Sequence, residues 1–475
     1  MFADTLPRDP NPRNTVLRVG APLWESLTDH LLAGDDEHAA LLVCGVATTA
    51  DRLLFLVREL IPLSDDDYLD RGSLHLSIAP TTIARAAKKA RAEGCTLVLV
   101  HSHPFPGVVR ASRIDLATET ELCGRVLTGR TGQPVAALVV GPDGLDGRVW
   151  TTSGMSSLGA LEIVGDSIQV LRASSFPFAP QQRKRWSVDA STARQELLWG
   201  RDGQARLCDA RVVVVGCGGT GSHVAQQLAH LRVGSIALVD GDRVEETNLS
   251  RLIGATSEDI GRFKVDVVAE LVRRIAPGTE VDPIRKSVLD VDAHALVGAD
   301  VIVCATDGHG SRALLTELVQ QYLVPVVDLG VEVAGGDAGA FRAGGGVRIL
   351  RPSTGCLWCA GTLNPELVRR EYLTDSEREA EIRRGYIRDH DEPAPSVVAL
   401  NGVVASMAVL EVCQLLVGML GSGSQRILYR AEARKASTAA VVQREGCHVC
   451  GAGGPYGRGD AVRVKTRWRG DTATA

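Results

Sequence analysis

The stretch Arg211 to Gly221, RVVVVGCGGTG, constrains the fold of this chain more than any other. Four consecutive valines read as a buried strand, because a parallel strand covered on both faces is a continuous apolar run. Gly216, Gly218, Gly219 and Gly221 then make a tight turn, and the residues from Thr220 onward, TGSHVAQQLAHL, carry helical periodicity. A strand, glycine turn and helix in this order bring backbone N–H groups and a helix N-terminus up to a phosphate. Alone, the unit serves NAD and ATP equally.

At 475 residues the chain is long for one core, so two or three domains are expected. Its 45% hydrophobic and 23% charged residues are those of a soluble globular protein, and a net charge of −5 gives no whole-chain reason to expect nucleic acid or an anionic membrane as partner. No run of about 18 apolar residues predicts a membrane span. The opening MFADTLPRDPNPRN lacks the order of a signal peptide, which makes the cytoplasm the expected location. In that compartment, four of the eleven cysteines in two CxxC pairs read as metal ligands rather than disulfides.

Residues 15–165 read as a first α/β domain. Strands are expected at His38–Val46, Leu53–Leu60, Cys95–Val100 and Pro134–Val140, with helices at Thr82–Glu93 and Ser112–Val126. The strand from Cys95 delivers His101-Ser102-His103-Pro104, and SRID follows at Ser112 to Asp115. Alternation along a strand end puts His101 and His103 on one face. Two imidazoles with the carboxylate of Asp115 make a three-ligand Zn²⁺ site with its fourth position open, the catalytic arrangement. Ser112 is placed to hydrogen-bond a developing oxyanion, and Glu37, at the mouth of the first strand, is the candidate general base. S-x-x-D is also a plain helix cap, and the two roles are compatible. With these residues the domain resembles the JAB/MPN (JAMM) metalloprotease family, whose pattern is an upstream Glu, HxHP and SxxD. The resemblance implies hydrolysis of peptide or isopeptide bonds after the terminal glycine of ubiquitin-like proteins. The interval between His103 and Ser112 is eight residues, one longer than that pattern.

Residues 166–193 read as a linker, residues 194–452 as a second, Rossmann-like α/β domain, and the basic tail 453–475 as disordered. In the second domain the strand Ser235–Val239 ends at Asp240 and Asp242, where an acid holds ribose hydroxyls. Asn248 and Arg251 in NLSR, and Lys264 in GRFKVD, bring an amide and two cations to the same rim, a charge better suited to a triphosphate than to NAD. Asp307 ends another apolar strand and is a Mg²⁺ candidate. Cys356, Cys359, Cys447 and Cys450 form a Cys₄ structural zinc signature. No GxxxxGK[ST] is present.

In this order these features resemble the ubiquitin-activating-enzyme-like (ThiF/MoeB-type) adenylyltransferases. The resemblance implies that ATP and Mg²⁺ react with the C-terminal carboxylate of a ubiquitin-like or sulfur-carrier protein ending in glycine, giving an acyl-adenylate. It assigns Arg251, Lys264 and Asn248 to phosphates, Asp240 to ribose and Asp307 to Mg²⁺. It matches Arg194 in STARQ to an arginine that reaches the other subunit's active site, which implies a homodimer, although the first arginine of the RxxRQ pattern is absent here. Cys217, Cys304 and Cys413 lie in apolar or glycine-loop settings, so adenylation without a cysteine thioester is expected. The segment 363–395 reads as a mobile crossover loop. The leading expectation is a fused zinc (iso)peptidase and activating enzyme acting on one carrier. Alternatives are an adenylyltransferase for sulfur transfer or cofactor biosynthesis, an NAD-dependent oxidoreductase, and an inactive module that only binds the carrier.

Overall fold

The computed structural model describes residues 15–172, 190–335, 341–384, 395–421 and 425–467. The chain divides into two compact units. The first takes in residues 1–182 with 321–323 and 455–463; the second takes in 183–320, 324–454 and 464–475.

The first unit contains β1 (Thr15–Gly20), β2 (Ala39–Thr48), β3 (Leu53–Pro62), β4 (Tyr68–Gly72), β5 (His75–Ile78), β6 (Thr96–Ser102), β7 (Val135–Gly141), β8 (Gly144–Thr151), β9 (Gly154–Ser157), β10 (Ala160–Val164) and β11 (Ile168–Leu171). Nine of these form one sheet in the order β11-β10-β1-β3-β2-β6-β7-β8-β9, and β4 and β5 form a hairpin. β2 lies inside the sheet and is apolar on both faces. Ala40, Leu42 and Cys44 join one core with Leu27 and Leu31 of the helix Ala21–Leu31, while Ala39, Leu41 and Val43 join another with Ala86 and Ala90 of the helix Pro80–Ala92. The alternation follows from the period of two along a strand.

The second unit continues with β12 (Arg211–Val215), β13 (Ser235–Val239), β14 (Glu280–Ile284), β15 (Val301–Cys304), β16 (Val326–Gly335), β17 (Phe341–Leu350), β18 (Arg426–Arg430) and β19 (Lys435–Ala439). Their order is β14-β13-β12-β15-β16-β17-β18-β19. The first five pair in parallel, in the doubly wound order 3-2-1-4-5, and the last three add on antiparallel. The strand order therefore reverses between β12 and β15. The helix Val398–Val417 has the length and apolarity of a membrane span, yet 67% of its apolar window is buried inside the protein, so it is accounted for as a core helix.

Three boundaries differ from those expected. β11 pairs antiparallel with β10 inside the stretch read as a linker, because IQVL alternates as a strand although prolines and basic residues follow it. Residues 173–189 of that linker lie outside the described residues. The segment expected as a loop at 363–395 carries the helices Pro365–Glu371 and Asp375–Arg383, each with a side-chain N-cap, Asn364 and Thr374; residues 385–394 lie outside the described residues.

The largest correction concerns the tail as far as residue 467; residues 468–475 lie outside the described residues. Residues 455–463 belong to the first unit. Gly45 N–H donates to Gly457 O at 3.0 Å, Asp460 N–H donates to Val46 O at 2.8 Å, and Arg58 Nη1 donates to Tyr456 O at 2.7 Å. The strap docks where β3 bulges at Arg58, opposite Val43/Cys44 of β2. A Cβ at Gly45 would stand 2.3 Å from Gly457 O and 2.4 Å from Arg458 C, both main-chain atoms. Gly45→Ala is therefore expected to lift the strap, destabilising the first unit by about 1–3 kcal/mol. A lower melting temperature and faster tryptic cleavage at Arg458 check this; an unchanged cleavage rate would refute it.

Candidate functional site

In the second unit the turn after β12 lies at the point where the strand order reverses, the place where open α/β sheets take ligands. Gly216 has φ +89° and donates its N–H to Val239 O at 2.8 Å. A Cβ would reach 2.7 Å from Ala305 O at Gly216 and 1.8 Å from Gly216 O at Gly221, so these two glycines serve backbone packing. Gly218 faces open space, and it is the N-cap of the helix Gly219–His230 with no side-chain cap. The uncapped N–H groups and the bare floor leave room for an anion.

Around this floor stand the groups expected from the sequence. Asp240 accepts Cys217 N–H at 2.7 Å and Asp242 N–H at 2.8 Å, one on each oxygen. Burial pushes its pKa up, and the two N–H donors and Lys264 act against that. Each oxygen keeps a second lone pair, which suits it to accept from a ribose hydroxyl. Arg251 runs beside Gly219, with its Cδ 3.2 Å from where a Cβ would be. It donates Nη1–H to Thr247 O at 2.8 Å and has no carboxylate partner among the described residues. Asp307 is exposed in the loop after β15.

Two groups sit differently from the expectation. Lys264 Nζ pairs with Asp242 Oδ2 at 2.8 Å, and Lys264 N–H donates to Asp242 O, so the presumed phosphate cation and ribose acid hold each other. Asn248 is buried and closes a 3₁₀ turn, its Oδ1 accepting Glu245 N–H at 3.2 Å. In the next turn Arg251 N–H donates to Asn248 O at 3.0 Å. Arg194 is exposed in the helix Ala193–Asp209, with Leu197 at 88% and Leu198 at 65% exposure just after it.

Sequence reasoning missed three residues here. Asn401, an amide in an apolar helix, has Nδ2 2.4 Å from where a Cβ of Gly219 would lie. Glu371 accepts His309 N–H at 2.8 Å and Gly310 N–H at 2.9 Å, capping the helix His309–Tyr322 beside Asp307. Asp328 is fully buried on β16 between Arg312 at 3.0 Å and Arg348 at 2.8 Å. An aspartate inside the apolar run VPVVDLGV was the available signal for it.

The four cysteines do converge. Cys356 Sγ is 3.8 Å from Cys359 Sγ and 3.7 Å from Cys447 Sγ, and Cys359 Sγ is 3.4 Å from Cys450 Sγ. Tetrahedral Zn–S bonds put sulfurs roughly 3.75 Å apart, so the set fits zinc.

The first unit carries a second cluster. His101 Nε2 is 3.7 Å from Asp115 Oδ1, and His103 Nε2 is 3.6 Å from Asp115 Oδ2 and 3.7 Å from Glu37 Oε1. Tetrahedral zinc with N and O ligands needs separations of about 3.3 Å, so this donor set also fits the ion. His101 Nε2 is buried without a hydrogen-bond partner, as expected of a ligand atom waiting for one. Burial acts to raise Asp115, but the two imidazoles and Ser112 N–H outweigh it and hold the carboxyl far below its ordinary range. Burial pushes Glu37 up, with the imidazoles opposing. Ser112 is the N-cap of the helix Arg113–Glu119: its Oγ accepts Asp115 N–H at 3.1 Å, leaving its O–H to donate elsewhere. The eight-residue loop does not displace SRID, because Gly107 N–H donates to Asp143 at 2.8 Å and Ala111 N–H to Asp146 at 2.9 Å.

Residues 192–447 match the model of the ThiF family. Among curated proteins, the chain is 39% identical over 129 residues to the SAMP-activating enzyme E1 of Haloferax volcanii, a stretch covering 27% of this chain and 48% of that one. It is 37% identical over 149 residues to the adenylyltransferase and sulfurtransferase uba4 of Aspergillus clavatus, 31% of this chain and 29% of that protein. The match to the sulfur carrier protein ThiS adenylyltransferase of Escherichia coli is 27% over 253 residues, 53% of this chain and 89% of that one. The chain thus spans less than half the length of the first two relatives. The solved structure of E. coli MccB with MccA-N7isoASN aligns at a TM-score of 0.45 and 23% identity, covering 55% of this chain and 75% of that one.

Proposed function

The chain belongs to the ThiF family, and on that premise we propose that residues 194–452 adenylate the C-terminal glycine carboxylate of a ubiquitin-like or sulfur-carrier protein with ATP. The observation that carries this reading is the open glycine floor at Gly218 with Arg251, which meets no carboxylate among the described residues, beside it and the exposed Asp307 across the reversal in strand order. The carrier's carboxylate oxygen attacks the α-phosphorus, an O–P bond forms, and the bond to pyrophosphate breaks. Charge builds on phosphate oxygens, where Arg251 and the helix N–H groups stabilise it most. Lys264 joins them on leaving Asp242, Asp240 orients the ribose, and Asp307 would hold Mg²⁺, which would supply further positive charge for the phosphates. The relatives named for sulfur carriers favour sulfur transfer over protein conjugation as the fate of the adenylate.

No cysteine thioester belongs to this mechanism. Cys217, Cys304 and Cys413 are buried, and burial pushes the Cys413 thiol up to about 12, far from a reactive thiolate. Arg194, exposed beside Leu197 and Leu198, supports a homodimer in which it serves the partner's site. The enzyme is assigned to the cytoplasm, where its eleven free cysteines stay reduced.

The cluster of His101, His103, Asp115 and Glu37 supports a second activity in the same chain: a JAB/MPN-type zinc peptidase that trims or removes the same carrier. Zinc bound there polarises the scissile carbonyl and acidifies water. Glu37 takes the proton of the attacking water and passes it to the leaving amine, while the Ser112 O–H donates to the oxygen that becomes negative. A C–O bond forms as the C–N bond breaks, exposing the carboxylate that the second unit activates.

ATP–pyrophosphate exchange that depends on a small β-grasp protein ending in glycine is the expected result, with no adduct sensitive to dithiothreitol. Metal analysis is expected to give two zincs per chain. Absence of exchange with every carrier tried would favour the binding module instead.

A further inference from the structure

The helix that carries Asp115 is held in an unusual way. Arg113–Glu119 is seven residues long, exposes Ile114 at 77%, and buries one side chain, the carboxylate of Glu119. The chain runs on helically as Thr120–Thr128, whose Cys123 and Leu127 pack with Val135, Ala137 and Trp150, so the apolar anchor lies beyond Glu119 and the turn that carries Asp115 is held by the partner of that carboxylate. Arg148 on β8 is buried and meets Glu119 through a two-pronged contact, Nε to Oε2 at 2.6 Å and Nη2 to Oε1 at 2.8 Å. Its remaining Nη1 donates to Asp146 Oδ2 at 2.5 Å. The same Asp146 oxygen accepts Ala111 N–H, the residue before the cap Ser112. One guanidinium therefore anchors the loop entering the helix, through Asp146, and the far end of the helix, through Glu119. Asp115 stands one helical turn before Glu119, on the same face.

We infer that Arg148, with Glu119 and Asp146, is a positioning residue for the metal ligand Asp115, and that this buried triad is what accommodates the long loop between His103 and Ser112. The inference rests on the reading of His101, His103 and Asp115 as a zinc site. A planar fork suits the task because it fixes direction as well as charge, which a lysine does not.

The test uses the full-length chain, with zinc affinity measured by competition against a chelator. His103→Ala is expected to remove one zinc per chain; no change in stoichiometry would overturn the zinc reading itself. Arg148→Lys and Glu119→Gln are each expected to weaken that zinc by 10- to 100-fold, the usual effect of losing a group that orients a ligand, while the four-cysteine zinc stays bound. With Co²⁺ in place of zinc, the visible spectrum of the site, taken as the difference from His103→Ala, is expected to change in Arg148→Lys as it does in Asp115→Asn. A merely structural role would leave that spectrum unmoved. Wild-type affinity and spectrum in a folded variant would overturn the positioning role and leave the zinc site standing. If Arg148→Lys does not fold, Glu119→Gln, which keeps an acceptor oxygen and the side-chain volume, decides.

Discussion

Arg251→Ala is expected to lower carrier-dependent ATP–pyrophosphate exchange by about 10²- to 10³-fold, the typical effect of removing one preorganised group from developing negative charge. Arg251 is the cation with the fewest other commitments at the glycine floor: its guanidinium gives one bond to Thr247 O, and its stem lies along Gly219. Lys264 is already paired with Asp242, so Lys264→Ala is expected to cost less. The loss in Arg251→Ala should fall mainly on kcat, because an α-phosphate gains charge contacts as pyrophosphate leaves. Exchange kinetics at saturating ATP check this. A variant that exchanges at the wild-type rate, or one that loses only ATP affinity, would remove Arg251 from the transition state.

Glu37→Gln is expected to lower cleavage of a carrier fusion after its terminal glycine by about 10²- to 10⁴-fold, the range for loss of a general base. Zinc content and ATP–pyrophosphate exchange should stay unchanged. The separation follows from geometry: Glu37 Oε1 reaches His103 at 3.7 Å but, unlike Asp115, not both imidazoles. Burial raises its pKa, which makes it a stronger base than a solvated glutamate, and glutamine keeps the shape without the proton acceptor. Cleavage of a fluorogenic carrier fusion by wild type and variant measures the ratio. Undiminished cleavage in Glu37→Gln would mean another group takes the proton.

Local patterns carried most of what could be read without coordinates. The valines of β12 and the glycines after them specified a strand and a turn because sterics at Gly216 and Gly221 are satisfied within a few residues or by the next strand. HSHP and SRID were legible for the same reason, since a strand end and a helix cap set the directions of His101, His103 and Asp115. The pairing of Lys264 with Asp242 was not legible, because nothing in GRFKVD says which neighbour its ammonium meets. Nor was the strap at Tyr456–Asp460. Its bonds join segments remote in sequence, most of them through a main-chain atom, and GPYGRGD has no periodicity to announce them. Nothing in the sequence marks Arg148 and Glu119 as partners, and only their mutual burial shows it.

The strap has a consequence for biosynthesis. Thr48 and Asp460, which are joined by a hydrogen bond, lie 412 positions apart in the chain. At about 5–20 residues per second, a ribosome that has delivered β2 and β3 takes roughly 20–80 s to deliver the residues that close over their bulge. For that time the first unit is incomplete, with Gly45 N–H bonded to water or to a chaperone in place of Gly457. The first unit thus matures last although it is translated first, so a newborn chain leaves it open at the β2–β3 bulge until the second unit has been made.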